Sequence, residues 1–252
     1  VSTLPGSHKS FGADESLMRK NLSDFALWLD DLASRAGLDF HLGLEPEPFG
    51  YFENTHETVR FFDRLRNERS DSAPLSRRLG INYDTCHFAL QYEPAADSLN
   101  ALASAGIRIS KIHLSNALAL DPQDESALAA IRNFDEPIYL HQVIARRHDG
   151  SIERFPDLPE FLAANKESMS EARVHFHIPL DSSPTPPLRS TRSDVLEVLN
   201  WRAKHPQMCQ HYEIETYTWA VLPQPMQRPV DEQIAAEYSW VMRHAQISPN
   251  MA

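Results

Sequence analysis

HLGLEPEP (41–48), LGINYDTCH (79–87), SKIHLSN (110–116) and HYEIETYTW (211–219) are short apolar segments that each carry an acidic or imidazole side chain late in the run. Successive side chains of a strand point to opposite faces, so Leu42, Leu44, Ile81, Tyr83, Ile112, Leu114, Tyr212 and Ile214 take one side of a sheet. Glu45, Asp84, His113 and Glu215 take the other. A polar face repeated on separate strands, with its functional group near each C-terminal end, is what a parallel barrel with a site at its C-terminal mouth requires. VSTLPG (1–6) and RVHFHIPL (173–180) fit the same design, and in the second His175 and His177 face together.

Helical periodicity fills the intervals. Met18, Leu22, Phe25, Leu29 and Leu32 recur at helical spacing between Glu15 and Ala36, with Gly37 as the stop signal. Thr55 reads as the N-cap of a helix through about Arg66, and further helices are expected at about 94–105, 124–131, 192–203 and 231–245. Strand followed by helix, four times in succession, argues for a parallel sheet with right-handed crossovers. PIYLHQVIARRHDGSIERF (137–155) breaks the pattern, because two β-like runs flank Asp149-Gly150, and it reads as a β-hairpin insertion. The expected fold is therefore α/β, a TIM (β/α)8 barrel with six strands centred near residues 4, 43, 82, 112, 176 and 214. A rival count makes YLHQVI a seventh strand. The chain enters at Val1 in the middle of a strand, so the first two βα units are expected to be missing or supplied elsewhere.

The 252 residues, 42% of them hydrophobic, suit one barrel domain spanning 1–252. With 24 basic and 35 acidic residues the net charge is −11, which opposes binding to nucleic acid and to anionic lipid. The expected partner is a small-molecule metabolite, and the oligomeric state is left open. Two cysteines, Cys86 and Cys209, exclude a disulfide scaffold and point to a reducing, cytoplasmic setting. No apolar run approaches the roughly 18 residues of a membrane span. The phosphate-binding loops G-x-G-x-x-G and G-x-x-x-x-G-K-[ST] and the nucleophile elbow G-x-S-x-G are all absent from the sequence.

Glu45, Asp84, His113 and Glu215 would give a hard, oxygen-rich site for one divalent metal ion, Mn²⁺ or Zn²⁺, with Mg²⁺ and Co²⁺ also compatible. Without a cation the three carboxylates would repel and raise one another's pKa. His87, three residues after Asp84, reaches in from the following turn as a substrate contact or fifth ligand, or else caps the next helix. The His175-x-His177 pair resembles the H-x-H motif of metal-dependent amidohydrolases. It comes too late in the chain for that order, which leaves both rings as substrate-binding or supporting groups. Lys111 shares the face of His113 and either contacts substrate or neutralises a carboxylate. Cys86 reads as a small buried residue beside the site.

The order Glu, Asp, His, Glu on successive strands resembles the xylose isomerase-like TIM barrel superfamily. That resemblance implies metal ligation by Glu45, Asp84, His113 and Glu215, with Glu45 and Glu215 also acting as the catalytic acid/base pair. LGLEPEP, YDTCH, KIHLSNAL, YLHQVIAR with RFPDLPEFL, VHFHIPLD and HYEIETYTWAVLP together resemble the metabolite-traffic protein EboE family over nearly the whole chain. Full chains of that family carry additional sequence before VSTLPG, and their genes accompany secondary-metabolite clusters. The resemblance implies a sugar phosphate isomerase/epimerase-like protein that moves a proton through an enediolate of a polyhydroxylated carbonyl compound. The alternative is a barrel that binds or hands on a metabolite without turnover. A hydrolase like endonuclease IV would need several metals and a basic groove, which the charge of −11 opposes.

Overall fold

The computed structural model describes residues 2–3 and 6–245. Val1, Leu4 and Pro5 of the expected first strand lie outside the described residues. In chain order the strands are β1 (Ser2–Thr3), β2 (Leu42–Leu44), β3 (Leu79–Asp84), β4 (Arg108–Leu114), β5 (Leu118–Leu120), β6 (Val143–Arg147), β7 (Ile152–Phe155), β8 (Met169–Val174), β9 (Arg189–Ser190) and β10 (Tyr212–Ile214). The α-helices are α1 (Glu15–Ala36), α2 (Thr55–Asn67), α3 (Ala73–Arg78), α4 (Thr85–Leu90), α5 (Ala95–Ser104), α6 (Glu125–Ile131), α7 (Leu158–Ala163), α8 (Arg192–Lys204) and α9 (Val230–His244).

An all-parallel sheet in the order β1-β2-β3-β4-β10 makes this an α/β structure. Its apolar face behaves as the alternation predicts. Leu42, Leu44, Ile81, Tyr83, Ile112 and Leu114 share one core with Phe62 and Leu65 of α2, Leu99 and Leu102 of α5, and Val195 and Leu199 of α8. Tyr212 and Ile214 pack against the same core. β4 carries one extra residue opposite the Ile81/Asn82 step: Ile109 pairs with Ile81, and Lys111 with Asn82. That bulge keeps both Ile109 and Ile112 in the core while Lys111 and His113 take the polar face.

α1 matches its expected bounds, and Gly37 closes it at φ 66°, a left-handed conformation that glycine adopts without strain. For α2 the cap is Asn54, whose side chain accepts from Glu57 N at 2.9 Å, and Thr55 is the first helical residue instead.

The segment RVHFHIPL departs from expectation. Its strand ends at Val174 and pairs antiparallel with β5 and β6, inside a second, antiparallel sheet ordered β7-β6-β8-β5-β9. Ala172 and Val174 alternate into a second core with Leu118, Val143, Phe161 and Phe176. Residues 175–178 then run as an irregular link, where Ile178 N donates to Asn116 O at 3.3 Å and Asn116 Nδ2 donates to Ile178 O at 2.9 Å. The parallel sheet thus has five strands and not six, and of the YLHQVI run only Val143 and Ile144 enter a strand, β6 of the antiparallel sheet. Among the described residues β1 and β10 are edges, so the parallel sheet is open and no closed eight-stranded barrel is formed. The hairpin around Asp149-Gly150 is β6–β7, with Val143 opposite Phe155. α4 joins the two sheets through a small core of Cys86, Leu90, Ala117 and Ile144. No described helix is long and apolar enough to cross a membrane.

At Gly80 the backbone of β3 leaves no room for a side chain against β4. A Cβ there would lie 2.3 Å from the Arg108 carbonyl oxygen and 2.5 Å from Ser110 Oγ. Backbone cannot yield as a flexible side chain would, so Gly80→Ala is expected to cost about 1–3 kcal/mol of stability in chemical denaturation.

Candidate metal centre

Four strand ends of the parallel sheet deliver the polar quartet. Glu45 directly follows β2, and its N–H donates to Thr3 O at 2.8 Å. Asp84 ends β3 and caps α4, its Oδ1 accepting from His87 N and from Ser115 Oγ, each at 2.9 Å. His113 is the penultimate residue of β4, and Glu215 follows β10 with its N–H donating to Leu114 O at 3.2 Å. Each of the four offers one ligand atom within 4.8 Å of all the others. His113 Nδ1 sits among the carboxylates, 2.8 Å from Glu215 Oε2, 3.3 Å from Glu45 Oε1 and 3.6 Å from Asp84 Oδ2.

The donor set fits a divalent cation. Asp84 is fully buried, yet its Oδ2 has no hydrogen-bond partner. A buried carboxylate oxygen left unpaired is costly unless a cation takes it. Asn82, two residues before Asp84 on the same face, donates from Nδ2 to Glu45 Oε2 at 2.7 Å and lies 3.2 Å from both His113 ring nitrogens. Sequence reasoning passed over Asn82, although the alternation that selects Asp84 selects it too.

Electrostatics follow from burial and crowding. Burial opposes charge on His113, but the surrounding carboxylates Asp84, Glu215 and Glu45 prevail and hold its pKa up to about 12. Burial, reinforced by the charge on Asp84, raises Glu215 to about 7. Burial pushes Asp84 up, but the His87 and His113 rings outweigh it and hold the carboxyl well below its usual range. The centre therefore combines a firmly ionised carboxylate with one poised to exchange a proton near neutrality.

The remaining expected site residues are placed as follows. His87 lies in the first turn of α4, not in a loop, and His175 and His177 lie in the link after β8. All three imidazoles gather on the side of the quartet that faces the second sheet, with His87 Nε2 3.9 Å from Asp84 Oδ1 and His177 Nδ1 2.8 Å from Glu215 O. Lys111 forms an ion pair with Glu213, whose Oε2 is 3.3 Å from His113 Nε2, so it neutralises a carboxylate on the polar face. Both residues line a cavity of about 870 Å³ at the opposite, N-terminal ends of the strands, together with Phe25, Trp28, Phe40 and His41. Cys86 is buried, as expected, and its N–H donates to Ser115 Oγ at 3.0 Å.

Tyr217 is a second neighbour that sequence reasoning passed over. Its ring centroid lies 4.8 Å from that of His177 and 4.9 Å from that of Tyr139. Buried Glu237 of α9 accepts from Thr216 Oγ1 at 2.6 Å and Trp219 Nε1 at 3.2 Å, which fixes the loop carrying Glu215 and Tyr217. No regular spacing links Glu237 to that loop in the sequence.

No protein-family model matches the chain, and no curated protein matches it.

Groups that orient metal ligands typically change affinity by about 10–100-fold. Asn82→Ala is expected to weaken Mn²⁺ binding by about that factor in titration calorimetry, with an unchanged circular dichroism spectrum. An unaltered affinity would show that Asn82 does not orient Glu45.

Proposed function

We propose that this protein is a metal-dependent isomerase or epimerase acting on a polyhydroxylated carbonyl metabolite, its open parallel sheet corresponding to part of a barrel of xylose isomerase-like type related to the EboE family. One observation carries the reading: four separate strands of one parallel sheet bring Glu45, Asp84, His113 and Glu215 within 4.8 Å at the C-terminal edge. Binding sites of open and closed parallel sheets lie at that edge. The barrel reading is supported by the division of the sheet into a helix-covered apolar face and a polar face.

Glu45, Asp84, His113 and Glu215 would hold the ion. A bound divalent ion supplies Lewis acidity, which makes a C–H bond beside a chelated carbonyl more acidic. Glu45 and Glu215 approach from different strands and serve as the proton-moving pair. Glu215 is the more open of the two, with 33% of its side chain exposed against 12% for Glu45. Burial and the charge on Asp84 raise its carboxyl above the usual range in the ion-free site, the direction a proton-moving group needs. Asp84 stays ionised and fixes charge, while Asn82 holds Glu45. His177, buried beside Glu215, backs the half-buried ring of Tyr217, which is the aromatic surface near the quartet for a sugar-like ligand.

The second reading, binding without turnover, predicts the same ion with no proton exchange. Ketoses and inositols incubated in deuterated water with Mn²⁺-loaded protein separate the two. Exchange at a carbon beside the carbonyl is expected, falling about 10²–10⁴-fold in Glu45→Gln and in Glu215→Gln. Binding of such a compound with no exchange would establish the binding role instead. An ion content unchanged in the Glu45→Gln, Glu215→Gln double variant would remove the metal site from both readings.

A further inference from the structure

On the metal-centre reading above, we infer that the substrate is an unphosphorylated ketose-like compound bearing an aromatic ring or a similar flat apolar substituent, which seats against Tyr217, Tyr139 and the exposed turn 137–140. Pro137, Ile138, Tyr139 and Leu140 are four consecutive apolar or aromatic residues at the surface, with Ile138 68% and Leu140 64% exposed. A run of that kind is unfavourable in water unless it has something to cover.

The turn is built and not loose. Glu136 accepts from Ile138 N at 2.8 Å and from Tyr139 N at 3.1 Å, so the tip is folded before anything binds and little ordering entropy remains to be lost. At its two ends Phe134 and His141 close on the ring of Phe176, with centroids 5.1 Å and 5.4 Å away. His141 N donates to Asp157 Oδ1 at 2.8 Å, and Gln142 Oε1 lies 2.7 Å from His175 Nδ1. Phe176 stands between His175 and His177, which anchors the turn on the link beside the quartet.

A row of rings joins the tip to the centre. Tyr139 meets Tyr217 edge-on with centroids 4.9 Å apart, Tyr217 meets His177 at 4.8 Å, and Tyr217 follows Glu215 by two residues. A ligand whose oxygens reach the quartet lays a flat substituent along Tyr217 and Tyr139, and aromatic contact there adds affinity.

Charge argues against a phosphate in that place. The groups acting most strongly on Asp84, His87, Glu215 and Tyr217 are carboxylates, imidazoles and the Cys86 thiol, with no lysine or arginine among them. Lys111 is already held by Glu213. Phosphate recognition relies on such cations. Asp135, Glu136 and Asp157 border the turn, and with the net charge of −11 they also oppose an anionic membrane as its occupant. Continuity with Glu215 favours the substrate over a separate protein.

Titration calorimetry of the Mn²⁺-loaded full chain with fructose, fructose 6-phosphate and N-tolyl fructosamine tests this. The tolyl compound is expected to bind about 10-fold more tightly than fructose, and the phosphate ester no more tightly than fructose. Tyr139 is exposed, so its replacement leaves the fold intact: the tolyl-to-fructose ratio is expected to fall toward one in Tyr139→Ala and to persist in Tyr139→Phe. Tightest binding by the phosphate ester, a ratio unaltered in Tyr139→Ala, or no binding by any of the three would overturn the inference. So would toluidine alone binding as tightly as N-tolyl fructosamine, which would mark the tip as a separate docking surface. Deuterium exchange into fructose without a preference for the ring would remove this inference and leave the proposed reaction standing. An ion kept in the Glu45→Gln, Glu215→Gln double variant would instead remove the metal-centre reading itself.

Discussion

Crowding of like charge is the constraint on which this architecture turns. Two unit charges about 4 Å apart interact by roughly 4 kcal/mol at the effective dielectric of a protein near its surface. Glu45, Asp84 and Glu215 impose that repulsion three times within 4.8 Å. Flexible loops would relieve it by moving apart. Here each carboxylate is instead fixed at a strand end whose neighbours are hydrogen-bonded to it, and His113 stands among them with its pKa held up to about 12. The protonated ring is the intrinsic counter-charge, and an entering divalent ion would take its place.

Packing on the other face makes the crowding tolerable. Helices α2, α5 and α8 cover the apolar side of the sheet, so every side chain that alternation sends the other way is free to be polar. The extra residue in β4 matters for the same reason. A strand of uniform pleat would put Ile109 and Ile112 on opposite faces. The irregularity beside the Ile81/Asn82 step lets both enter the core while His113 still joins the quartet. The antiparallel sheet contributes from the far side: its β8 ends where His175 and His177 begin, and His177 ties back to the Glu215 carbonyl at 2.8 Å.

Much of this was legible as alternation. The quartet, the helix-facing residues of four strands, α1 with its Gly37 stop and the Asp149-Gly150 hairpin all follow from period, length and turn chemistry. Alternation states which face a side chain takes and is silent on which strand pairs with it. RVHFHIPL alternates as well in an antiparallel sheet as in a parallel one, so its assignment to a barrel failed while the shared face of His175 and His177 held. The helices α3, α4 and α7 each span only six residues, too few for helical periodicity to register. α4 nevertheless decides where His87 points. Asn54 displaced Thr55 as a cap because either residue can accept from the third N–H, and only geometry separates them. Partners such as Gln142, Tyr217 and Glu237 are distant in the chain and follow no period.

The curvature of the parallel sheet carries a further consequence for chemistry. β2 and β10 are separated by β3 and β4, three strand spacings, or roughly 14 Å across a flat sheet. Carboxylate oxygens of Glu45 and Glu215 nevertheless come within 4.8 Å. Side-chain length covers part of the gap, and the rest requires the polar face to be concave. A concave wall holds its two outermost glutamates on opposite flanks of whatever lies at its centre, with Asp84 and His113 behind. A ligand seated there meets one carboxylate on each side. Inverting a carbon centre demands that disposition, because the proton must leave from one face and arrive at the other.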